Sequence, residues 1–176
     1  MADGNVIKNV KNIIDADSQR KFIVVSAPGK RYSGDIKVTD SLLKCHSEVM
    51  RGGNVKAAFA AVRARFVSLV RELNIAFDIN SVLDETEALI ESERSEDFTA
   101  SRGEYLSARI MAAVLGASFI DAKDVIFFDA NGALDGKKSY KAVADALKDC
   151  NRAVFPGFYG CGVDGRVKTF SRGGSD

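Results

Sequence analysis

The stretch KFIVVSAPGK, residues 21–30, sets four apolar residues, Phe22 to Val25, in a row and stops them with Ser26-Ala27-Pro28-Gly29. A short continuous apolar run closed by small residues, proline and glycine is the pattern of a buried strand running into a loop. On its N-terminal side, Val6, Ile7, Val10, Ile13 and Ile14 recur at helical spacing, with Asp3 placed to cap the start. On its C-terminal side, RYSGDIKVTD (31–40) is polar and glycine-bearing, so it reads as loop. The next helix is expected near Thr39 or Asp40, with Leu42, Leu43, Val49 and Met50 facing inward.

Residues 52–100 are the most helical part of the chain. NVKAAFAAVRARFVSLVREL (54–73) aligns Phe59, Val62, Phe66, Leu69, Val70 and Leu73 on one stripe. INSVLDETEALIESE (79–93) predicts a second amphipathic helix, capped at Asn80 or Ser81. A third is expected from about Ser101 to Leu115, stopped by Gly116, with ERSEDF (93–98) as a solvated acidic turn before it. Downstream the pattern alternates. ASFIDAK (117–123) and VIFFDA (125–130) are short apolar runs, KKSYKAVADALKD (137–149) is a helix, and RAVFPGFYG (152–160) is a strand broken at Pro156-Gly157. The Asp164-Gly165 turn predicts a local hairpin. Strands alternating with helices imply an α/β domain with a mainly parallel sheet, and the helices between about residues 40 and 115 form a lobe on it.

The length suits one ordinary domain or part of a larger one. Hydrophobic residues make up 46%, enough for a buried core, and charged residues 28%, nearly cancelling to a formal +1. That balance gives no electrostatic footprint for nucleic acid or an anionic membrane surface, so neither is expected as a partner. The pairs Lys30-Arg31 and Lys137-Lys138 read as solvated. Cys45, Cys150 and Cys161 are odd in number and form no CxxC pair. The lone His46 completes no zinc set, so no metal site is expected, and a reducing, cytoplasmic setting fits. Cys45 and His46 are adjacent, which turns them apart on a helix; a buried thiol beside a surface imidazole is favoured over a nucleophilic pair. The N-terminus has no signal or transit character, and no run approaches the ~18 apolar residues of a membrane span.

Four stretches fall at strand ends or helix starts, where α/β sheets bind ligands. They are VVSAPGK (24–30) with Thr39 downstream, SRGEYLSAR (101–109), PGFYG (156–160) and SRGGSD (171–176). Ser26 and Thr39 offer hydroxyls. Arg172 offers a bidentate fork for a carboxylate or phosphate. Glu104 and Asp176 can hold a cation, and Gly173-Gly174 free backbone N–H groups for an oxyanion. Each also has an ordinary structural reading: Glu104, in the first turn of its expected helix, complements the helix dipole, and a glycine pair makes a turn.

Read in order, VVSA, the VTD threonine, SRGEYLSAR, FIDA (119–122) and PGFYGCGVDGRVKTFSRGGSD (156–176) resemble the aspartate kinases of the amino-acid kinase superfamily over almost the whole chain. The resemblance implies a three-layer α/β/α sandwich and transfer of the ATP γ-phosphate, with Mg2+, to the β-carboxylate of L-aspartate. That step opens a route to lysine, threonine and methionine. It also implies a cytoplasmic, homo-oligomeric parent enzyme. By the same resemblance Ser26 and Thr39 lie near the aspartate and Glu104 helps hold its ammonium. Arg172 grips a substrate carboxylate, Asp176 flanks the ammonium, and Gly173, Gly174 and Ser175 surround the transferring phosphate. The sequence departs from the family in three ways. It opens at MADGNV without the family's first strand and KFGGSS-type loop and so without its catalytic lysine, it stops at Asp176, and SAPGKRYSGDIKVTD (26–40) is longer than the common SAMGGVTD pattern. Residues 1–176 are therefore expected to be part of a catalytic domain, lacking the ATP half and inactive alone. Two alternatives stay open at this stage: another kinase of the superfamily, and a non-catalytic interaction module built on the helical lobe.

Overall fold

In a computed structural model, which describes residues 1–171, the chain forms seven helices and five strands. They are α1 (Gly4–Asp15), β1 (Phe22–Val25), α2 (Val38–Met50), α3 (Val55–Leu73), α4 (Ile79–Glu93) and α5 (Glu96–Leu115), followed by β2 (Ser118–Phe119), α6 (Ala122–Val125), α7 (Gly136–Leu147), β3 (Ala153–Pro156), β4 (Tyr159–Cys161) and β5 (Val167–Thr169). Strands β1, β3 and β2 pair in that order, all parallel, with Phe22 opposite Ala153 and Val25 opposite Pro156. Strands β4 and β5 form the expected antiparallel hairpin, Tyr159 opposite Thr169, with Gly165 at φ +78° in its turn.

The central strand shows why there are three layers. Side chains alternate along β3. Val154 faces the core built by α2–α5, whereas Ala153 and Phe155 face α7 through Val143, Ala146 and Leu147. The larger core is helical, and Leu42, Phe59, Phe66, Leu83, Ile90 and Leu106 are fully buried in it. Helix α5 lies at its centre, and from Phe98 to Ala112 only Tyr105 and Arg109 are not buried. A helix covered all round needs small residues where the chain presses closest. Gly103 is such a point: a Cβ there would lie 2.8 Å from the Ala27 Cβ, just beyond the end of β1.

Several expectations change in the structure. The Phe22–Val25 run is not a fully buried strand. It is a sheet edge with only Val25 buried, and Phe22 and Val24 are 52% and 68% exposed because α7 covers β3 but does not reach β1. Helix α5 starts at Glu96, not Ser101, because Ser95 caps it, its Oγ accepting the Phe98 N–H at 3.2 Å. Glu96 and Asp97 then complement the helix dipole, so most of ERSEDF is helix rather than solvated turn. Helix α4 is capped by Asp78, which accepts the Ser81 N–H at 3.2 Å, rather than by Asn80 or Ser81. VIFFDA is not a strand. Asp121 caps α6, which takes Val125, and Phe127 and Phe128 make isolated bridges to Cys161 and Leu134. Met50, the last residue of α2, points outward at 55% exposure.

The tight approach of α5 to the end of β1 is testable. Gly103→Ala gains about 1 kcal/mol of helix propensity but forces a methyl into a filled contact, which costs about 1–3 kcal/mol. The expected outcome is a lower urea midpoint at unchanged m-value; an equal or higher midpoint contradicts the close packing.

Candidate functional site

The parallel strands end on one side of the sheet, and α5 crosses beneath that end. Ser26 follows β1 and is exposed, and Thr39 stands half-buried in the first turn of α2. Their neighbours Ala27 and Val38 both meet residue 103, at 2.8 and 3.5 Å from the position of a Cβ there. Glu104 is the next residue on α5. The segments that carry Ser26, Thr39 and Glu104 thus meet around position 103. Arg172, Gly173, Gly174, Ser175 and Asp176 lie outside the described residues. The chain leading to them is anchored, however: the Phe170 N–H donates to the Phe158 carbonyl at 2.8 Å, and the Thr169 hydroxyl bonds the Asp97 carboxylate.

Glu104 does not sit at a helix start, as expected from sequence; it is mid-helix and buried, at 8% exposure. Desolvation raises its pKa above the ordinary carboxylate range, and the nearby Ala27 backbone N–H partly opposes this. Among the described residues its Oε2 is buried without a hydrogen-bond partner. A buried carboxylate oxygen left bare is costly, and a cation would satisfy it.

Arg102, one residue earlier, was not singled out from sequence. It is 4% exposed, and its guanidinium lies over the rings of Phe98, Tyr105 and Tyr159 at 4.2, 4.5 and 5.2 Å. It donates to the Phe98 carbonyl and to Ser101 Oγ. Stacking on three aromatic faces holds a buried cation where a compact ammonium would fit less well. The Tyr159 hydroxyl donates to Asp121 at 2.6 Å, and burial pushes its pKa far above the usual phenol range. Phe158 adopts φ +76°, the left-handed region that a bulky residue avoids. The preceding Pro156-Gly157 is the one sequence hint of this turn.

The loop between Ser26 and Thr39 carries a second unforeseen cluster. Arg31 is not merely solvated: its guanidinium and backbone N–H bond the buried carboxylate of Asp35 at 2.7–3.0 Å. These bonds hold the Asp35 carboxyl well below the usual carboxylate range. Lys138 of the other basic pair lies 3.8 Å from the Phe127 ring centre. Cys45 behaves as the bland reading expects: it is buried, its thiol contacts the Ser41 carbonyl at 3.2 Å, and burial pushes its pKa up to about 11. Such a thiol is no activated nucleophile. Among the described residues no three His, Cys, Asp or Glu side chains cluster to hold a metal ion, and no helix is long and apolar enough to cross a membrane.

The same arrangement of elements occurs in known proteins. The chain is 32% identical to aspartokinase 3 of Bacillus subtilis, a match covering the whole chain and 42% of that protein. It is 49% identical to the crystal structure of Clostridium acetobutylicum aspartate kinase, with a TM-score of 0.95 over 99% of this chain and 40% of that one. Escherichia coli aspartokinase III, crystallised with lysine and aspartate, shares the fold at a TM-score of 0.74 and 20% identity. The chain thus spans about two fifths of the length of these relatives. Residues 1–176 match the amino acid kinase family from end to end, and the chain belongs to that family.

Proposed function

We propose that this chain is the acceptor-holding part of an aspartate kinase catalytic domain. The parent enzyme transfers the γ-phosphate of ATP, taken up with Mg2+, to the β-carboxylate of L-aspartate. A carboxylate oxygen of aspartate attacks the γ-phosphorus, the bond to the β-phosphate oxygen breaks, and ADP leaves behind an acyl phosphate. The observation that carries this reading is Glu104: a buried carboxylate with one oxygen that has no partner among the described residues, on the helix that meets the end of β1 and the start of α2. A substrate ammonium supplies the missing partner. The 49% identity to an aspartate kinase of the same fold supports it.

In this reading Ser26 and Thr39 hydrogen-bond the substrate from the two ends of their loop. Arg172 forks onto its carboxylate, Asp176 faces the ammonium opposite Glu104, and Gly173, Gly174 and Ser175 cradle the transferring phosphate. None of these groups forms a covalent bond to the reacting atoms. Phosphoryl transfer runs mainly on positioning and charge stabilisation, and the side chains suit that task. The parent is read as a cytoplasmic homo-oligomer supplying lysine, threonine and methionine synthesis.

Incubating the full-length polypeptide with ATP, Mg2+, L-aspartate and hydroxylamine tests the reading, because an acyl phosphate is trapped as a hydroxamate. Aspartate-dependent hydroxamate is expected. Phosphorylation of acetylglutamate, carbamate or uridylate in its place assigns the chain to another branch of the family and ends the proposal.

Glu104 also predicts an opposition between binding and stability. Its folded pKa is raised, so between the unfolded and folded values the native state holds more protons and loses stability as pH rises. Glu104→Gln therefore raises the melting temperature of the ligand-free protein at neutral pH, by about 2–4 °C for about 1 kcal/mol. The gain vanishes below the ordinary carboxylate range. The same variant weakens aspartate binding about 10- to 100-fold, the worth of a charged hydrogen bond. A variant that is less stable at neutral pH, or binds aspartate normally, refutes this role.

A further inference from the structure

We propose that Arg65 is a positioning residue for the acceptor site, acting through the loop that joins Ser26 to Thr39; this rests on the reading of the preceding section. Arg65 belongs to α3, far along the chain from that loop, and is 8% exposed. One of its Nη atoms donates to the Gly29 carbonyl at 2.8 Å and also bonds the Ala2 carbonyl. Its other Nη lies 3.7 Å from Asp35 Oδ2. Asp35 in turn is locked to Arg31 by three hydrogen bonds. Arg65 therefore grips the loop twice: at Gly29, three residues after Ser26, and at Asp35, four residues before Thr39.

Little else holds this segment. Residues 26–37 contain no helix or strand, and the large apolar side chains in its middle, Tyr32 and Ile36, are 63% and 66% exposed. Apolar packing anchors only the ends, at Pro28 and Val38. A loop of this length without secondary structure of its own is a functional element more often than a mere connector, and its free ensemble is broad. The guanidinium is planar, with donors fixed in a fork, so it can hold two backbone carbonyls and a carboxylate in one geometry. Desolvation and then the nearby Arg31 cation lower the Arg65 pKa, and the Asp35 carboxylate opposes them. Displacing the loop's centre shifts both hydroxyls at its ends. Positioning errors of this kind fall on the substrate those groups touch, and the nucleotide is not that substrate.

The test uses the full-length polypeptide with Arg65→Met, Arg65→Lys and Asp35→Asn. Arg65→Met is expected to raise the aspartate KM about tenfold or more, with the ATP KM changed by less than about twofold. Arg65→Lys, which keeps the charge and loses the fork, should recover part of the loss. Asp35→Asn, which removes the second grip, should move the aspartate KM in the same direction. An aspartate KM within about twofold of the parent in both Arg65→Met and Asp35→Asn overturns the proposal, as does a parallel rise in both KM values. If Arg65→Met does not fold, Asp35→Asn and Arg65→Lys decide by the same criteria. Hydrogen exchange of amides 29–36 separates this idea from the one it rests on. If the parent does not phosphorylate aspartate but Arg65→Lys speeds exchange there, the earlier reading fails and the staple stands. Unchanged exchange overturns the staple whatever the substrate.

Discussion

Helix α5 lies so close to the end of β1 that position 103 has no room for a Cβ against Ala27. That contact sets where the other elements go. The helix must be small-sided and covered all round, so α2, α3 and α4 gather over it as a lobe. The first turn of α2 meets the same spot through Val38. Glu104 is thereby carried out of water, and its neighbour Arg102 is forced to find aromatic faces in place of solvent. The site is not added to the fold at its rim; it is the residue of a packing constraint at the centre.

The electrostatics around this contact divide by purpose. Asp35 is buried and saturated with donors, and its carboxyl is held well below its ordinary range. Glu104 is buried and under-supplied, and its carboxyl is raised. Both carboxylates are nearly inaccessible to solvent, yet they titrate in opposite directions: desolvation among the helices raises Glu104, whereas hydrogen bonds from Arg31 lower Asp35. The first organises a loop. The second is left short of donors among the described residues, an arrangement that costs the protein stability.

Much of the fold was legible in the sequence. The stripe on α3, Pro156-Gly157 breaking β3 from β4, and Asp164-Gly165 turning the hairpin are local signals, and local signals survive without tertiary knowledge. The start of α5 was hidden because Ser95-Glu96-Asp97 reads equally well as an acidic turn. Only the Ser95 cap with acids behind it pointed the other way, and with it went the burial of Glu104. The edge exposure of Phe22 and Val24 depends on how far α7 reaches, which no period in the run encodes. Ser26, Thr39 and Glu104 drew notice in the sequence because small residues and hydroxyls mark strand ends and helix starts. Arg65 did not, since its partners Ala2, Gly29 and Asp35 lie far off in the chain; a lone Arg102 reads as a surface arginine, and an isolated Asp35 looks like a turn residue.

The pairing of β1 with β3 joins residues 22 and 153, with the entire lobe strung between them. Within the lobe α2 packs on α3 and α3 on α4, but α2 also packs closely on α5, across the two helices between them. Closing so long a loop of free chain is entropically slow. A lobe already condensed shortens the effective loop and brings the two strand segments within reach. The order of elements therefore ties the sheet to the lobe: β1 and β3, on which the strand-end residues depend, meet only where the lobe folds the chain back on itself.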